Sequence, residues 1–559
     1  MNSKLSNVVG PVDQPLLEVT VGELLARATA ASPDHEALVS CHQDFRLTYE
    51  ELDQASDRFA KGLLQLGLVP GDRIGIWSPN NVEWIVTMYA AAKLGLVLVN
   101  VNPAYRPFEL EYALNKVGCK ALVMANRFKT SNYPEMLCQL APEASSCEPG
   151  RLKAAKLPAL EILILVGDQG RDGFLLFGEV DAMGRSSDTD LQSYEDACDV
   201  HSPVNIQFTS GTTGSPKGAT LTHHNIVNNG FFVGEGIALT EQDRVCVPVP
   251  LYHCFGMVLG VLACVSHRAT VVLPGDAFDP LTTLRAVEKE NCTGLYGVPT
   301  MFSGVLDHPE FKNFSVDHLR TGIVAGALCP ETLMKRILND LHMEEITNCY
   351  GMTETSPVSF QTHIHESLQK RTTTVGTVHP HIEVKIIDAN GEIVPRGMRG
   401  EICTRGYCVM QGYWGDEEKT KESIVDGWML TGDEGVIDKD GYCAIVGRIK
   451  DLIIRGGENI APKEIEEYLL THDEILEAQA FGVPDEKFGE IVCVWLRKAP
   501  NSTLGEQDIK DFCKDNIAYF KVPAIVRFVD EFPLTVTGKV QKFVMRDIMA
   551  QELTAEATA

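Results

Sequence analysis

The sequence predicts an α/β protein with a large N-terminal domain of layered α/β subdomains and a small C-terminal α+β domain. Three observations carry that expectation. At 559 residues the chain is too long for one ordinary core, so two or more domains are expected. From about 204 to 360, apolar β-branched runs alternate with helical patterns, as in layered proteins with largely parallel sheets. Near Gly447-Arg448-Ile449-Lys450-Asp451 a strand-like run gives way to a Gly-Gly turn and a helix with Pro462 placed early, where proline is tolerated. The expected division is therefore residues 1–448, a connector at 449–451 and a domain at 452–559.

Element by element, Thr48-Tyr49-Glu50-Glu51-Leu52 opens a helix and 73–77 reads as a strand. Residues 141–203 turn polar and rich in Gly and Ser, broken by one strand-like run at 161–166, and read as loop-rich connection. Strands follow at 204–208, 269–273 and 322–325, with helices near 280–291 and 330–343.

Composition excludes several classes. Apolar content of 44% and charged content of 22% are those of a globular soluble chain. The longest apolar stretches, such as 257–265, fall well short of the roughly 20 residues of a membrane span, so no membrane span is expected. Seventy-six acidic against 49 basic residues give a net charge of −27, which repels nucleic acid; no nucleic-acid partner is expected. Any phosphate site must be built locally, from loops and a few placed cations. The sixteen cysteines are scattered without a CxxC pair and read as buried thiols in a reducing compartment. The His223-His224, His363/His365 and His379/His381 pairs lack metal-ligand spacing and read as structural. The N-terminus carries one basic residue before Arg27, and the final Ala-Thr-Ala is no peroxisomal address. A cytoplasmic location is expected. Nothing in the sequence sets an oligomeric state.

The most informative segment is Thr209-Ser210-Gly211-Thr212-Thr213-Gly214-Ser215-Pro216-Lys217-Gly218. Glycines let backbone approach a polyanion closely, amides and hydroxyls can ring phosphate oxygens, and Lys217 adds charge. It is not a Walker A loop, since Gly-Lys is not followed by Ser or Thr at the required spacing.

Four segments in order resemble the signature of the AMP-forming adenylating superfamily, which comprises acyl-CoA synthetases, adenylation domains and luciferases. They are the 209–218 loop, Tyr350-Gly351-Met352-Thr353-Glu354, Thr431-Gly432-Asp433, and Pro533 to Lys542 with its Thr537-Gly538-Lys539 turn. The resemblance covers nearly the whole chain. It implies ATP binding by Thr209 to Lys217, Gly326, Tyr350, Gly351, Thr353, Asp433, Arg448 and Lys539, with Glu354 holding Mg²⁺ and Asp433 accepting from the ribose hydroxyls. A lysine reaching both the attacking carboxylate and the α-phosphate offsets their repulsion, and Lys539 matches that role. Thr353 is implied to contact the α-phosphate, and His253 matches a position beside the acyl pocket.

The small domain is implied to be a mobile lid, pivoting at Lys450 between half-reactions, with Gly457 lining the path of the CoA thiol. The segments 400–406 and 410–414 match elements that read as architectural. Longer stretches, among them 205–221, 101–105, 405–410 and 453–459, are similar to the medium-chain acyl-CoA ligase group (acyl-CoA synthetase family member 2) and its bacterial relatives. Eukaryotic members carry a mitochondrial presequence, which makes the mitochondrial matrix the alternative location.

The implied reaction joins a small-molecule carboxylic acid, ATP and CoA through an acyl-adenylate. Twenty residues follow Lys539, so no carrier-protein domain is expected. The apolar segments 255–265 and 295–300, with no cation for a second carboxylate, point to an aliphatic monocarboxylic acid of medium chain; short branched or aromatic acids are the runner-up. Luciferase-like oxidation is the alternative on the same scaffold. A catalytically silent nucleotide-binding protein is the alternative of another class, favoured by loss of Lys539, Glu354 or the 209–218 loop. All three are present.

Overall fold

The computed structural model describes residues 4–558 apart from 210–215, 328, 456–457, 486–487, 515, 518–519 and 536–537, and apart from the side chains of 450, 458–459 and 554–558. It divides into two compact units: Val9–Glu383 with Thr404–Met429, and Met1–Val8 with Val384–Cys403 and Leu430–Ala559.

The larger unit is built on two sheets. The first has the order Leu175–Leu176, Ile162–Leu165, Cys119–Met124, Arg73–Trp77, Val97–Asn100, Pro203–Thr209, Lys217–Thr222, Gly412–Tyr413. Its strands are parallel as far as Pro203–Thr209, after which Lys217–Thr222 and Gly412–Tyr413 add antiparallel. In the second, Glu345–Gly351, Thr321–Ala325, Gly294–Gly297, Arg244–Cys246, Thr270–Leu273 and Glu36–Ser40 run parallel, with antiparallel strands at either edge. Parallel strands buried on both faces read as near-continuous apolar runs, and 73–77 and 270–273 do.

Helix Val82–Lys93 shows why the interior holds. Every residue but Glu83 is buried, so the helix is apolar nearly all round, as a helix packed on all sides must be. Helix Tyr49–Gln65 opens as expected, with Thr48 and Glu51 forming a reciprocal capping box. One expectation needs correcting. The segment read as loop-rich carries helix Phe177–Arg185, which lies against Tyr49–Gln65. One glycine on each helix serves the close approach: a Cβ on Gly184 would stand 1.7 Å from the Arg58 carbonyl oxygen, and one on Gly62 of the partner helix 2.1 Å from that of Val180. A composition that signals loops here signals two helices in tight contact.

In the other unit, residues 433–437 of strand Trp428–Ile437 run antiparallel to Cys443–Arg448. A second sheet has the order Glu458–Ile460, Ile453–Arg455, Gly489–Lys498, Ile475–Asp485, with Ile525–Phe528 parallel to Gly489–Lys498. Helices Pro462–Leu469, Glu506–Cys513 and Lys542–Thr558 complete it, with a core around Ile453, Ile465, Val494 and Phe481. The chain thus has the expected α/β class, with a large N-terminal part and a smaller C-terminal α+β part.

Candidate active site

Pro203–Thr209 is the parallel strand at which the first sheet turns antiparallel, and it pairs with Lys217–Thr222 so that Thr209 faces Lys217. Thr209 and Lys217 therefore stand at the carboxyl end of a parallel strand, where α/β sheets place their ligands. Ser210, Gly211, Thr212, Thr213, Gly214 and Ser215 lie outside the described residues; Pro216 is half-buried beside them.

A chain of buried amides fixes the hairpin from beneath. Gln207 Nε2 donates to Asn205 Oδ1 at 2.9 Å, Asn205 Nδ2 to Asn100 Oδ1 at 2.9 Å, and Asn100 Nδ2 to the Tyr252 carbonyl at 2.9 Å. Buried polar groups hold position only when each is satisfied, and here one satisfies the next. Tyr252 precedes His253, whose Nδ1 accepts from the Phe255 amide at 3.2 Å. Cys254 Sγ lies 3.8 Å from Thr353 Oγ1, so the His253 turn and the Thr353–Glu354 segment meet.

Glu354 sits in a single 3₁₀ turn, Thr353–Thr355, directly after strand Glu345–Gly351. It is 6% exposed. Its Oε1 accepts from the Tyr413 hydroxyl at 2.8 Å and from Thr209 Oγ1 at 3.3 Å. Lys217 Nζ lies 3.4 Å from the same Tyr413 hydroxyl and 4.4 Å from the ring centroid. Burial, together with the charge of Glu354, pushes the Tyr413 hydroxyl far above its ordinary pKa, so it stays a neutral donor.

One hard carboxylate is what Mg²⁺ asks of a protein when phosphates and water supply its remaining ligands. Glu354 fits, since both hydrogen bonds fall on Oε1 and Oε2 accepts from no described residue. No cluster of three acidic, His or Cys side chains suited to a metal exists among the described residues.

Tyr350 and Gly351 end the neighbouring strand to Thr321–Ala325, whose next residue, Gly326, turns at φ +88°. Gly351 is required by space: a Cβ there would stand 1.8 Å from the Pro357 carbonyl oxygen. Of the expected apolar walls, Phe255–Leu262 is a buried π-helical run. Leu295, Tyr296 and Gly297 line a small apolar hollow with Phe278, Met301 and Phe302.

In the other unit, Asp433 and Arg448 face each other across the Trp428–Ile437 and Cys443–Arg448 strands. Arg448 Nε stands 3.2 Å from Asp433 Oδ1, with Asp433 buried and Arg448 about half exposed. The turn before Asp433 is held by Glu401, whose Oε1 accepts from the Gly432 amide at 2.9 Å. Lys539 closes a hairpin in which the Thr535 amide donates to its carbonyl at 2.7 Å and its own amide donates to Thr535 Oγ1 at 3.0 Å. Lys450 lies in the 3₁₀ turn Ile449–Asp451, its side chain outside the described residues, as is the whole of Gly457.

Comparison with known proteins decides the family. Residues 25–414 match the AMP-binding enzyme family, and residues 464–539 match the AMP-binding enzyme C-terminal domain.

The chain belongs to the AMP-binding enzymes.

It is 46% identical to the medium-chain acyl-CoA ligase ACSF2, mitochondrial, of Danio rerio, over 98% of this chain and 91% of that protein. It is 44% identical to YngI of Bacillus subtilis (strain 168), over 95% of this chain and 97% of the relative. Among solved structures, ATP-bound MatB from Rhodopseudomonas palustris superposes with a TM-score of 0.81 at 28% identity, covering 95% of this chain and 99% of MatB. Against that family frame, Tyr413 is the site residue that sequence reading passed over as architectural. It lies opposite Ala219 in the Lys217–Thr222 strand, and only that register brings it beside Lys217.

Proposed function

We propose that this AMP-binding enzyme is an acid–CoA ligase that activates medium-chain aliphatic monocarboxylic acids. Acid and ATP give an acyl-adenylate and pyrophosphate, and the CoA thiol then displaces AMP. The observation that carries the reading is the convergence of Thr209, Lys217, Glu354 and Tyr413: hydroxyls, a cation and a hard carboxylate at the root of a glycine-rich hairpin, suited to a polyphosphate.

In this reading Thr209 to Lys217 cradle the phosphates, and Gly326, Tyr350 and Gly351 leave room for the base. Asp433 takes the ribose hydroxyls, with Arg448 beside it. Thr353 meets the α-phosphate while Lys539 offsets the charge that builds as the carboxylate attacks. Bound Mg²⁺ would be held by Glu354 and would neutralise phosphate charge. His253 packs beside the acyl carboxylate, and Phe255–Leu262, which carries no charged side chain, supplies an apolar wall.

The turn Ile449–Asp451, with Lys450 as pivot, joins an adenylation domain of 1–448 to a lid of 452–559, and Gly457 lines the CoA path. The medium-chain assignment is supported by the identity to ACSF2 over nearly the whole chain. A cytoplasmic location is supported by sixteen free cysteines, as expected of a reducing compartment.

The test is pyrophosphate release with ATP and Mg²⁺ across acids from acetate to palmitate plus benzoate and phenylacetate, with and without CoA. CoA-dependent turnover peaking at C6 to C10 is expected. Turnover confined to aryl acids would overturn the substrate, and no turnover with any acid would overturn the ligase reading.

A further inference from the structure

The Lys217–Thr222 strand presents Lys217 and Ala219 on one face, because alternate residues share a face. Tyr413 stands directly opposite Ala219 in the antiparallel partner strand, so Lys217 and Tyr413 are diagonal neighbours within reach of long side chains. The backbone holds Tyr413 in place: its amide donates to Thr420 Oγ1 at 2.9 Å. From there one hydroxyl serves two charges. It donates to Glu354 Oε1 at 2.8 Å and lies 3.4 Å from Lys217 Nζ, while its ring lies under the same ammonium at 4.4 Å. A buried carboxylate and a cation on separate elements thus share one neutral side chain, which keeps them apart and aimed.

We propose that Tyr413 is a positioning residue for nucleotide binding, orienting both the hairpin cation Lys217 and the carboxylate Glu354 toward the polyphosphate. This rests on the acid–CoA ligase reading and gives Tyr413, which that reading assigns no part in the reaction, a role of its own. Without the hydroxyl, Lys217 keeps the ring but loses its oxygen partner, and Glu354 loses its shortest hydrogen bond. Both groups then have to be ordered by ATP itself, which lowers affinity rather than altering the acid site.

The experiment is equilibrium binding of ATP by titration calorimetry to the full chain, with Mg²⁺ and with EDTA, for wild type, Tyr413→Phe, Lys217→Met and the double variant. In Mg²⁺, Tyr413→Phe is expected to bind ATP about tenfold more weakly, the size of a lost hydrogen bond to a charged group. The gain in affinity that Mg²⁺ confers should fall about threefold, since Glu354 is no longer aimed, on the same hydrogen-bond scale. The double variant should bind no more weakly than the worse single one, because both changes break one network. In turnover the loss should reside in KM for ATP, with KM for the acid unchanged.

Tyr413→Phe binding within twofold of wild type, or losses that add in the double variant, would overturn this inference alone. Wild type that binds no ATP would overturn the ligase reading and this with it. Should Tyr413→Phe not fold, the Lys217→Met and Glu354→Gln pair tests the same network: sub-additive losses support it, additive ones overturn it.

Discussion

Two carboxylates, one in each unit, are held in opposite ways. Glu354 is buried among neutral donors, accepting from Tyr413 and Thr209, with Lys217 on the far side of the Tyr413 hydroxyl. Asp433 is buried too, but it faces an arginine directly across two strands, and that arginine is about half exposed. In the proposed reading, Glu354 is therefore kept available for a cation brought by the ligand. Asp433 is oriented by a cation the chain supplies. The lysine assigned to chemistry, Lys539, sits on neither device but on a short hairpin pinned through Thr535. Glu354 and Asp433 are thus each fixed by side chains from neighbouring elements, whereas the described contacts of Lys539 are made through its own backbone.

The sharpest way to break that comparison is Lys539→Ala. If Lys539 acts mainly where charge develops, its loss should lower the rate of pyrophosphate release by about 10²–10³-fold, the range for removing one preorganised electrostatic contact. Reaction of preformed acyl-adenylate with CoA should survive. A variant that retains adenylation within fivefold would remove Lys539 from the chemistry.

The next effect is smaller. Asp433→Asn keeps size and hydrogen bonding but removes the charge that Arg448 faces. KM for ATP should rise about tenfold, on the scale of hydrogen bonds to charged groups, with KM for the acid unmoved. Competition by AMP and by its 2′-deoxy form reads the ribose contact directly: wild type should discriminate between them and the variant should not. Equal discrimination by both would sink the assignment of Asp433 to the ribose.

The fold class and the family were legible in the sequence because each motif is local in the chain and lies on or beside a strand. The 209–218 loop follows an apolar strand, Thr353 and Glu354 follow another, and Asp433 and Arg448 lie on a hairpin close in the chain. Tyr413 was not legible. Its role comes from pairing with a strand almost two hundred residues earlier, and a Gly-Tyr-Trp run alone signals only packing. Helix Phe177–Arg185 was missed for the opposite reason, since Gly184 is there for contact with a second helix, and local composition cannot distinguish that from a turn.

The last prediction sets the two units against each other in acid. The larger unit contains two histidines that burial holds neutral: His223, lowered to about 4, and His379, lowered to about 3. Geometry agrees, since His223 Nδ1 accepts from the Val21 amide at 3.0 Å and His379 Nε2 lies 2.6 Å from Gln361 Oε1. The only histidine of the other unit, His472, stands against Phe512 near the surface. In the unfolded chain a histidine takes its proton near pH 6.5, while these two in the native state refuse it until their lower values. The unfolded state therefore binds more protons between those limits, and stability falls as pH drops, by about 1.4 kcal/mol per histidine per pH unit. Above 6.5 the contribution is complete. Hydrogen exchange at pH 7 and pH 5 should show protection of His223–Gly236 lost faster than that of Gly489–Lys498. His223→Gln, whose amide oxygen can still accept from Val21, should remove about one proton from the pH slope of the larger unit. An unchanged slope would mean that His223 is charged, or opens, before the unit unfolds.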